Sequence, residues 1–289
     1  MSTREQPDGG VAPITRREAL ARLGAAAALG SVVLPGMSCR GLSAHGLQTI
    51  GLQLYTVRKE MERSVEQTLA RVAEIGYKEV ELAGLFQRTP AQFAAMLKAN
   101  DLTAPAAHLG LDVMRTAWDQ ALDDAATLGH RYVLVAWVPP EERSSVDAAR
   151  KLGEDFNRAG EAARKRGLAF AYHNHDFEFA PLGSTTCYDV LLATCDPALV
   201  SFELDLFWIT KAGKDPVAYL TRYPGRFPMV HVKDMTADGT MVDVGKGTID
   251  FAKIFAVADG GIKHYFVEHD NPPDPFASIA ASYRALQAL

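Results

Sequence analysis

The chain has 289 residues, 48% of them hydrophobic and 22% charged, an ordinary globular composition with room for one large or two small domains. Its formal net charge of −5 speaks against nucleic-acid binding, which needs a basic face. Beyond the N-terminal segment, no apolar run is long enough to cross a bilayer.

Residues 1–45 differ from the rest. Ile14-Thr15-Arg16-Arg17-Glu18-Ala19-Leu20 leads into an apolar run from Leu23 to Pro35, followed by small residues from Gly36 to Ser38. A charged n-region, an apolar h-region and a small-residue cleavage zone make an export signal. The paired arginines make it resemble the twin-arginine type; an amphipathic N-terminal helix is the bland alternative. The expectation is a signal and linker over 1–45 and a mature chain in the periplasm. That route carries proteins folded with their cofactor in place. Cys39 follows Gly36-Met37-Ser38, a poor lipobox because Gly36 is not a large aliphatic. Cleavage is therefore expected over a lipid anchor.

From residue 50, strand-like and helix-like segments alternate. Short apolar runs rich in β-branched and aromatic residues predict strands at Gly51–Tyr55, Glu79–Leu82, Ala104–His108, Tyr132–Trp137, Leu168–His175, Val200–Asp205, Met229–Lys233 and Tyr265–His269. Ser64–Ile75 places Leu69, Val72 and Ile75 on one helical face. Thr89-Pro90 starts another helix with a cap residue and proline at the first helical position. Arg115–Leu128 and Val146–Arg166 follow, then Cys187–Ala193, Pro216–Tyr223, Phe251–Ala258 and Pro275–Leu289. Cys187 and Cys195 are eight residues apart, roughly 12 Å on a helix, too far for a disulfide. Two buried thiols are expected.

Eight strands alternating with helices predict an α/β fold, a (β/α)8 TIM barrel over residues 46–289 as a single domain. A doubly wound sheet would want a glycine-rich turn after its first strand. Gln53-Leu54-Tyr55-Thr56-Val57-Arg58 has none.

Four of these strands end in residues that bind divalent metals: Tyr172-His173-Asn174-His175, Phe202-Glu203-Leu204-Asp205, Met229-Val230-His231-Val232-Lys233-Asp234 and Phe266-Val267-Glu268-His269-Asp270. Unpaired charge in an apolar interior is costly, so such ends need a shared purpose. Alternate strand side chains share a face. Glu203 thus points with Asp205, His231 with Lys233, and His173 with His175. Mixed carboxylate and imidazole ligands suit Mn2+, Zn2+, Co2+ or Fe2+ better than Ca2+. His231 alone could be a satisfied core histidine and Glu268 alone a buried ion pair; the joint pattern points to one divalent metal.

Gly51-Leu52-Gln53-Leu54-Tyr55, His173-Asn174-His175-Asp176-Phe177-Glu178-Phe179, Leu204-Asp205, His231-Val232-Lys233-Asp234, Val244-Gly245-Lys246-Gly247-Thr248-Ile249-Asp250-Phe251 and Val267-Glu268 resemble the xylose isomerase-like TIM-barrel superfamily. The resemblance runs from about residue 50 to the C-terminus. The superfamily contains sugar (phosphate) isomerases and epimerases and inosose dehydratases. The resemblance implies one metal held by ligands from strands 5 to 8, carried over here as Asp205, His231 and Glu268. The family's strand-5 glutamate is missing. Aligning on Glu-Asn-His puts His173 in its place; aligning on Phe177-Glu178 puts Tyr172 there. Tyrosine is a poor ligand near neutral pH, so His173 is the expected fourth ligand, with His175 in reserve.

The same resemblance implies Glu268, His175 and Lys233 as catalytic residues. His108, Glu178, Trp208, Gln53 and Tyr55 are the expected substrate contacts, and Trp137 and Phe207 could cover an apolar sugar face. The rival reading of Lys233 is a rim salt bridge with Asp234. The Val244–Phe251 loop could close over the site. The leading expectation is an isomerase or epimerase working on a sugar, keto-sugar or cyclitol through an enediolate. Histidine in place of a glutamate base makes a lyase or dehydratase of 3-keto-sugars, 3-keto-glycosides or inososes the alternative. A non-catalytic exported sugar-binding protein is the third reading. Each takes a small-molecule carbohydrate as partner and leaves a homo-oligomer open.

Overall fold

Alternation of side chains along eight short strands builds a two-faced wall that closes on itself. The computed structural model describes residue 47, residues 49–258 and residues 261–289; the expected export signal and Cys39 lie outside them. The barrel strands are β1 (Gly51–Gln53), β2 (Glu79–Leu82), β3 (Thr103–Leu109), β4 (Tyr132–Val135), β5 (Ala169–His173), β6 (Val200–Asp205), β7 (Met229–Val232) and β8 (His264–Val267). Each pairs in parallel with the next, and β1 closes the ring against β8. A principal helix follows every strand, so the expected (β/α)8 architecture is the observed one.

Outward side chains such as Leu52, Val80, Phe170, Tyr172, Phe202, Val230 and Val267 pack against the helices. Inward side chains divide by height. Ala106, Tyr132, Leu134, Ala171, Met229 and Phe266 fill the lower barrel with apolar volume. Above them the inward positions are Gln53, Glu81, His108, His173, Glu203, Asp205 and His231, buried or nearly so. The apolar layer keeps water out from below, so these polar groups must satisfy one another.

Several strands stop earlier than their apolar runs predict. The Gln53 side chain accepts the Tyr55 N–H at 3.0 Å and turns the chain into a 3-10 turn over Leu54–Val57. β4, β5, β7 and β8 end at Val135, His173, Val232 and Val267. Trp137, His175, Lys233 and Glu268 therefore stand on the loops at the C-terminal mouth. The expected Arg115–Leu128 helix is two helices, Leu111–Thr116 and Trp118–Leu128, broken at Ala117. Trp118 turns inward there, its ring N–H donating to the Ala159 carbonyl at 3.1 Å. The start at Thr89-Pro90 carries a full capping box with Gln92. Cys187 and Cys195 are buried free thiols, and burial pushes both up to about 12. Among the described residues, no helix is long and apolar enough to cross a membrane.

Gly51 shows how tightly the lower layer is packed. A Cβ added there would sit 2.5 Å from Phe266 Cδ1, and Phe266 is fully buried. Gly51→Ala is expected to cost about 1–3 kcal/mol through overpacking, although alanine suits a strand better than glycine. Urea denaturation checks this; an unchanged midpoint would mean the layer is looser than described.

Candidate metal centre

Strand ends β5 to β8 converge on one point. His173, Asp205, His231 and Glu268 each bring one ligand atom within 4.8 Å of the others, and all four are buried. His173 Nε2 lies 3.2 Å from Asp205 Oδ2, and His231 Nδ1 lies 3.7 Å from the same oxygen. His231 Nδ1 is 2.8 Å from Glu268 Oε2.

The surroundings fix which nitrogen of each imidazole faces that point. His231 Nε2 is 2.7 Å from Glu81 Oε2. An N–H there, donating to the carboxylate, leaves Nδ1 as the lone-pair side. Nδ1 is buried and has no hydrogen bond of acceptable geometry. His173 Nδ1 reaches the Ala136 carbonyl at 3.4 Å, which directs its Nε2 lone pair inward. An imidazole whose far N–H is held by a carboxylate or carbonyl is the usual form of a metal-binding histidine. Asp205 is oriented from behind as well. Its Oδ1 accepts the Trp208 N–H at 2.9 Å, capping the helix Leu206–Lys211, and its own N–H donates to Asn174 Oδ1 at 3.1 Å. That leaves Oδ2 for the shared point. The orphaned His231 nitrogen and this two-nitrogen, two-carboxylate donor set fit a divalent ion.

Lys233 closes the site from above. Its ammonium lies 3.1 Å from Asp205 Oδ2, 2.5 Å from Glu268 Oε2 and 2.8 Å from Asp270 Oδ1. Its partner is thus Asp270, not Asp234. Burial alone would raise the Asp205 and Glu268 carboxyls. The Lys233 charge, with His173 and His231, outweighs it and holds both well below the usual carboxylate range. Burial would discharge Lys233, but Asp205, Glu268 and Asp270 hold it well above the usual ammonium value.

A cavity of about 360 Å³ opens above this group, lined by Glu268, His173, Lys233, His175, His108, Trp208, Asp270, Asn271, Tyr55 and Trp137 among others. Burial, with His173 and Lys233 nearby, pushes His175 down to about 3, so it is neutral at ordinary pH. Trp208 Nε1 and His175 Nδ1 are buried and unpartnered, free to meet a ligand's hydroxyls. Burial opposes charge on His108, but Glu81 and Glu203 push it up to about 9.

Two expected substrate contacts lie elsewhere. Gln53 is fully buried below the cavity and donates to Glu81 Oε2 at 2.7 Å. Glu178 sits outside the barrel wall with Tyr172, because alternation turns Tyr172 outward when His173 turns in. Tyr172 donates to Glu178 Oε1 at 2.5 Å and the His175 N–H to Oε2 at 2.7 Å. Glu178 therefore shapes the loop carrying His175 rather than touching the cavity. The loop expected to close is pinned instead. Asp234 accepts the N–H groups of Met235, Gly245, Gly247 and Ile249. A Cβ on Gly247 would fall 2.2 Å from Asp234 Oδ1.

The sequence reading gave no role to Glu81, and assigned none to Glu203 or Asp270. The signal for Glu81 was present: Glu79-Val80-Glu81-Leu82 places a carboxylate at the inward end of a short strand. Glu81, His108, Glu203 and His231 form a second close group deeper in the barrel. A neutral His231 has one lone pair and cannot serve both groups. The upper one borders the cavity through both His173 and Glu268 and the lower one through His108 alone, so the upper one is the more open to a substrate. The lower one is a hydrogen-bonded floor.

The profile of the family described as xylose isomerase-like TIM barrel matches residues 69–287. An inosose dehydratase of Geobacillus kaustophilus is 26% identical over 234 residues, spanning 66% of this chain and 74% of that protein. The crystal structure of a sugar phosphate isomerase/epimerase from Parabacteroides distasonis superposes with a TM-score of 0.74 at 28% identity, covering 88% of this chain and 98% of that one. That of the IOLI protein with a binding zinc atom superposes with a TM-score of 0.65 at 14% identity, covering 82% and 96%; at that identity the likeness is one of fold.

Elemental analysis is expected to find one divalent ion per chain, lost in Asp205→Asn. Glu81→Gln should keep the fold and weaken affinity about 10–100-fold by loosening His231. Affinity should also fall as pH is lowered, because protons compete for His231; burial opposes its charge, but Glu203 and Glu268 raise its basicity above the usual imidazole range. Full affinity in both variants would remove the site.

Glu178 generates a separate test. Burial pushes its carboxyl up to about 7, above an unfolded value near 4.3. A raised value means the folded state holds the proton more tightly. That stability is complete below about pH 4 and is lost as pH rises through 7, at most about 4 kcal/mol. Glu178→Gln mimics the protonated form and should flatten the fall in urea midpoint between about pH 4 and 7. An unchanged slope would assign it elsewhere.

Proposed function

The chain belongs to the xylose isomerase-like TIM-barrel family, and from that premise we propose a metal-dependent dehydratase of keto-sugars or keto-cyclitols. Glu268 takes a proton from the carbon beside the substrate's carbonyl. The C–H electron pair moves into the carbonyl system and returns to expel a hydroxyl from the next carbon. The proton held by Glu268 passes to that hydroxyl, which leaves as water. A divalent ion at the four ligands would polarise the carbonyl and offset the charge that grows on its oxygen. Lys233, 2.5 Å from Glu268 Oε2, adds a fixed positive charge beside the reacting atoms. Trp208 Nε1 and His175 are placed to orient hydroxyls.

One observation carries the choice of reaction: the cavity offers one carboxylate suited to moving a carbon-bound proton. Asp205 lies beneath, turned to its helix cap, and Asp270 lies outside the group of four ligands. The strand-5 position holds His173, whose lone pair faces the ligands. His175, pushed down to about 3, is unprotonated when an acid is needed on the second face. Proton transfer on one face suffices for elimination, whereas epimerisation needs both. The similarity to an inosose dehydratase supports the same side. Isomerisation is the second reading, supported by the likeness to a sugar phosphate isomerase/epimerase, and it too can run on one base. The proposal includes a carbohydrate as partner and a place outside the cytoplasm, the latter on the strength of Arg16-Arg17 and the apolar run to Pro35.

The deciding experiment incubates metal-loaded protein with an inosose or a 3-keto-hexose in deuterated water. Loss of one water, with exchange at a single carbon and at least a 10³-fold slower rate in Glu268→Gln, is expected. Retained mass with a moved carbonyl or inverted centre would establish the isomerase reading. Sugar binding without any carbon-proton exchange would sink both.

A further inference from the structure

We propose that Tyr55 and Trp137 form an outer subsite for a second ring, so that the substrate is a two-ring keto-glycoside rather than a lone keto-sugar or cyclitol. The inference rests on the reading that the cavity takes a carbohydrate ketone.

Large hydrophobic side chains are rarely half exposed here. Tyr55 is 42% exposed and Trp137 52%. Both aromatics line the one cavity that contains His173, Glu268 and Lys233. They reach it from the loops after β1 and β4, three strands apart around the ring, so they flank the mouth from separate sides. Scattered exposed apolar residues need no explanation; two aromatic rings on the rim of one polar cavity do.

Tyr55 is also held in place. The Arg58 guanidinium stacks 3.9 Å from its ring centroid. Arg58 donates to the carbonyls of Tyr55 at 2.8 Å and Asp270 at 2.7 Å, and to Asn271 Oδ1 at 2.8 Å. One face of the tyrosine is thus covered and fixed to the loop after β8, while the side chain lines the cavity and stays 42% exposed. Among the described residues, no ring or cation stacks on Trp137. Rigid, exposed aromatic rings match the C–H faces of a pyranose, which are flat and apolar while its edges carry hydroxyls. The occupant is further limited by volume. About 360 Å³ is at the small end of the roughly 300–1,000 Å³ of ligand sites, and it runs from the ligands out to these two aromatics. A second ring, joined to the first, would lie at the rim where the aromatics are.

The test uses the metal-loaded protein, 3-keto-cellobiose against 3-keto-glucose, and calorimetry with cellobiose against glucose. Wild type should favour the two-ring compounds by at least tenfold in kcat/KM and in affinity. Trp137→Ala should cut that preference roughly tenfold, through KM rather than kcat, at an unchanged melting temperature. Tyr55→Ala should act in the same direction. Equal handling of one-ring and two-ring compounds by wild type, or a preference that survives both substitutions, would overturn the proposal. If neither ketone is turned over, the dehydratase reading fails. The calorimetric ratio then still decides the subsite: no tighter binding of cellobiose than of glucose overturns it.

Discussion

The hydrogen bond between His231 and Glu81 governs the site. An imidazole has two nitrogens and, when neutral, one proton. Glu81 sits 2.7 Å from Nε2 and so selects the tautomer that leaves Nδ1 bare. Gln53 donates to the same Glu81 oxygen and steadies it. His231 is fully buried, so no water can meet the bare nitrogen in its place. Glu268 Oε2 lies 2.8 Å from it, so a proton or a metal ion must stand between the two. Strand β2 on one side of the ring thereby sets the chemistry of β7 on the other.

Charge balance explains the rest of the upper layer. Asp205 and Glu268 remain ionised in a region that would otherwise neutralise them, because Lys233 lies within 3.1 Å of both. Asp270 in turn keeps Lys233 charged. With a divalent ion included, two positive species stand against three carboxylates, three positive charges against three negative. A buried group of this kind is stable as a whole and costly when one member is removed. The same accounting gives Lys233 its place beside the reacting atoms, rather than out on the rim with Asp234.

Most of the barrel was legible from periodicity, and so were the strand ends where the candidate ligands gather, for one physical reason; the choice of ligands among them came from the family resemblance. Buried parallel strands read as apolar runs, and a His, Asp or Glu at the end of such a run is conspicuous. Glu81 was harder to see, because its strand opens with Glu79 and reads as alternating charge rather than as a functional end. Strand ends were overrun by two or more residues at Tyr55, Trp137, His175 and His269. Aromatics and histidines prolong an apolar pattern, whereas the backbone is turned by local bonds such as Gln53 to Tyr55. The placement of Glu178 was decided by parity. One step along β5 separates a residue facing the cavity from one facing the helices, and its partner is Tyr172 rather than His173. The pinning of the 244–249 loop by Asp234 was invisible because it depends on four backbone N–H groups folding back onto a single carboxylate.

The seam where the ring closes joins the two ends of the described chain. β1 lies against β8, the His269 N–H donates to Thr56 Oγ1 at 3.0 Å, and Arg58 ties the loop after β1 to Asp270 and Asn271. Glu268 comes from that last strand. A nascent polypeptide can assemble His173, Asp205 and His231 early, but not the complete ligand set until its final segment has docked beside its first. An ion held by all four residues would therefore report that the ring has closed.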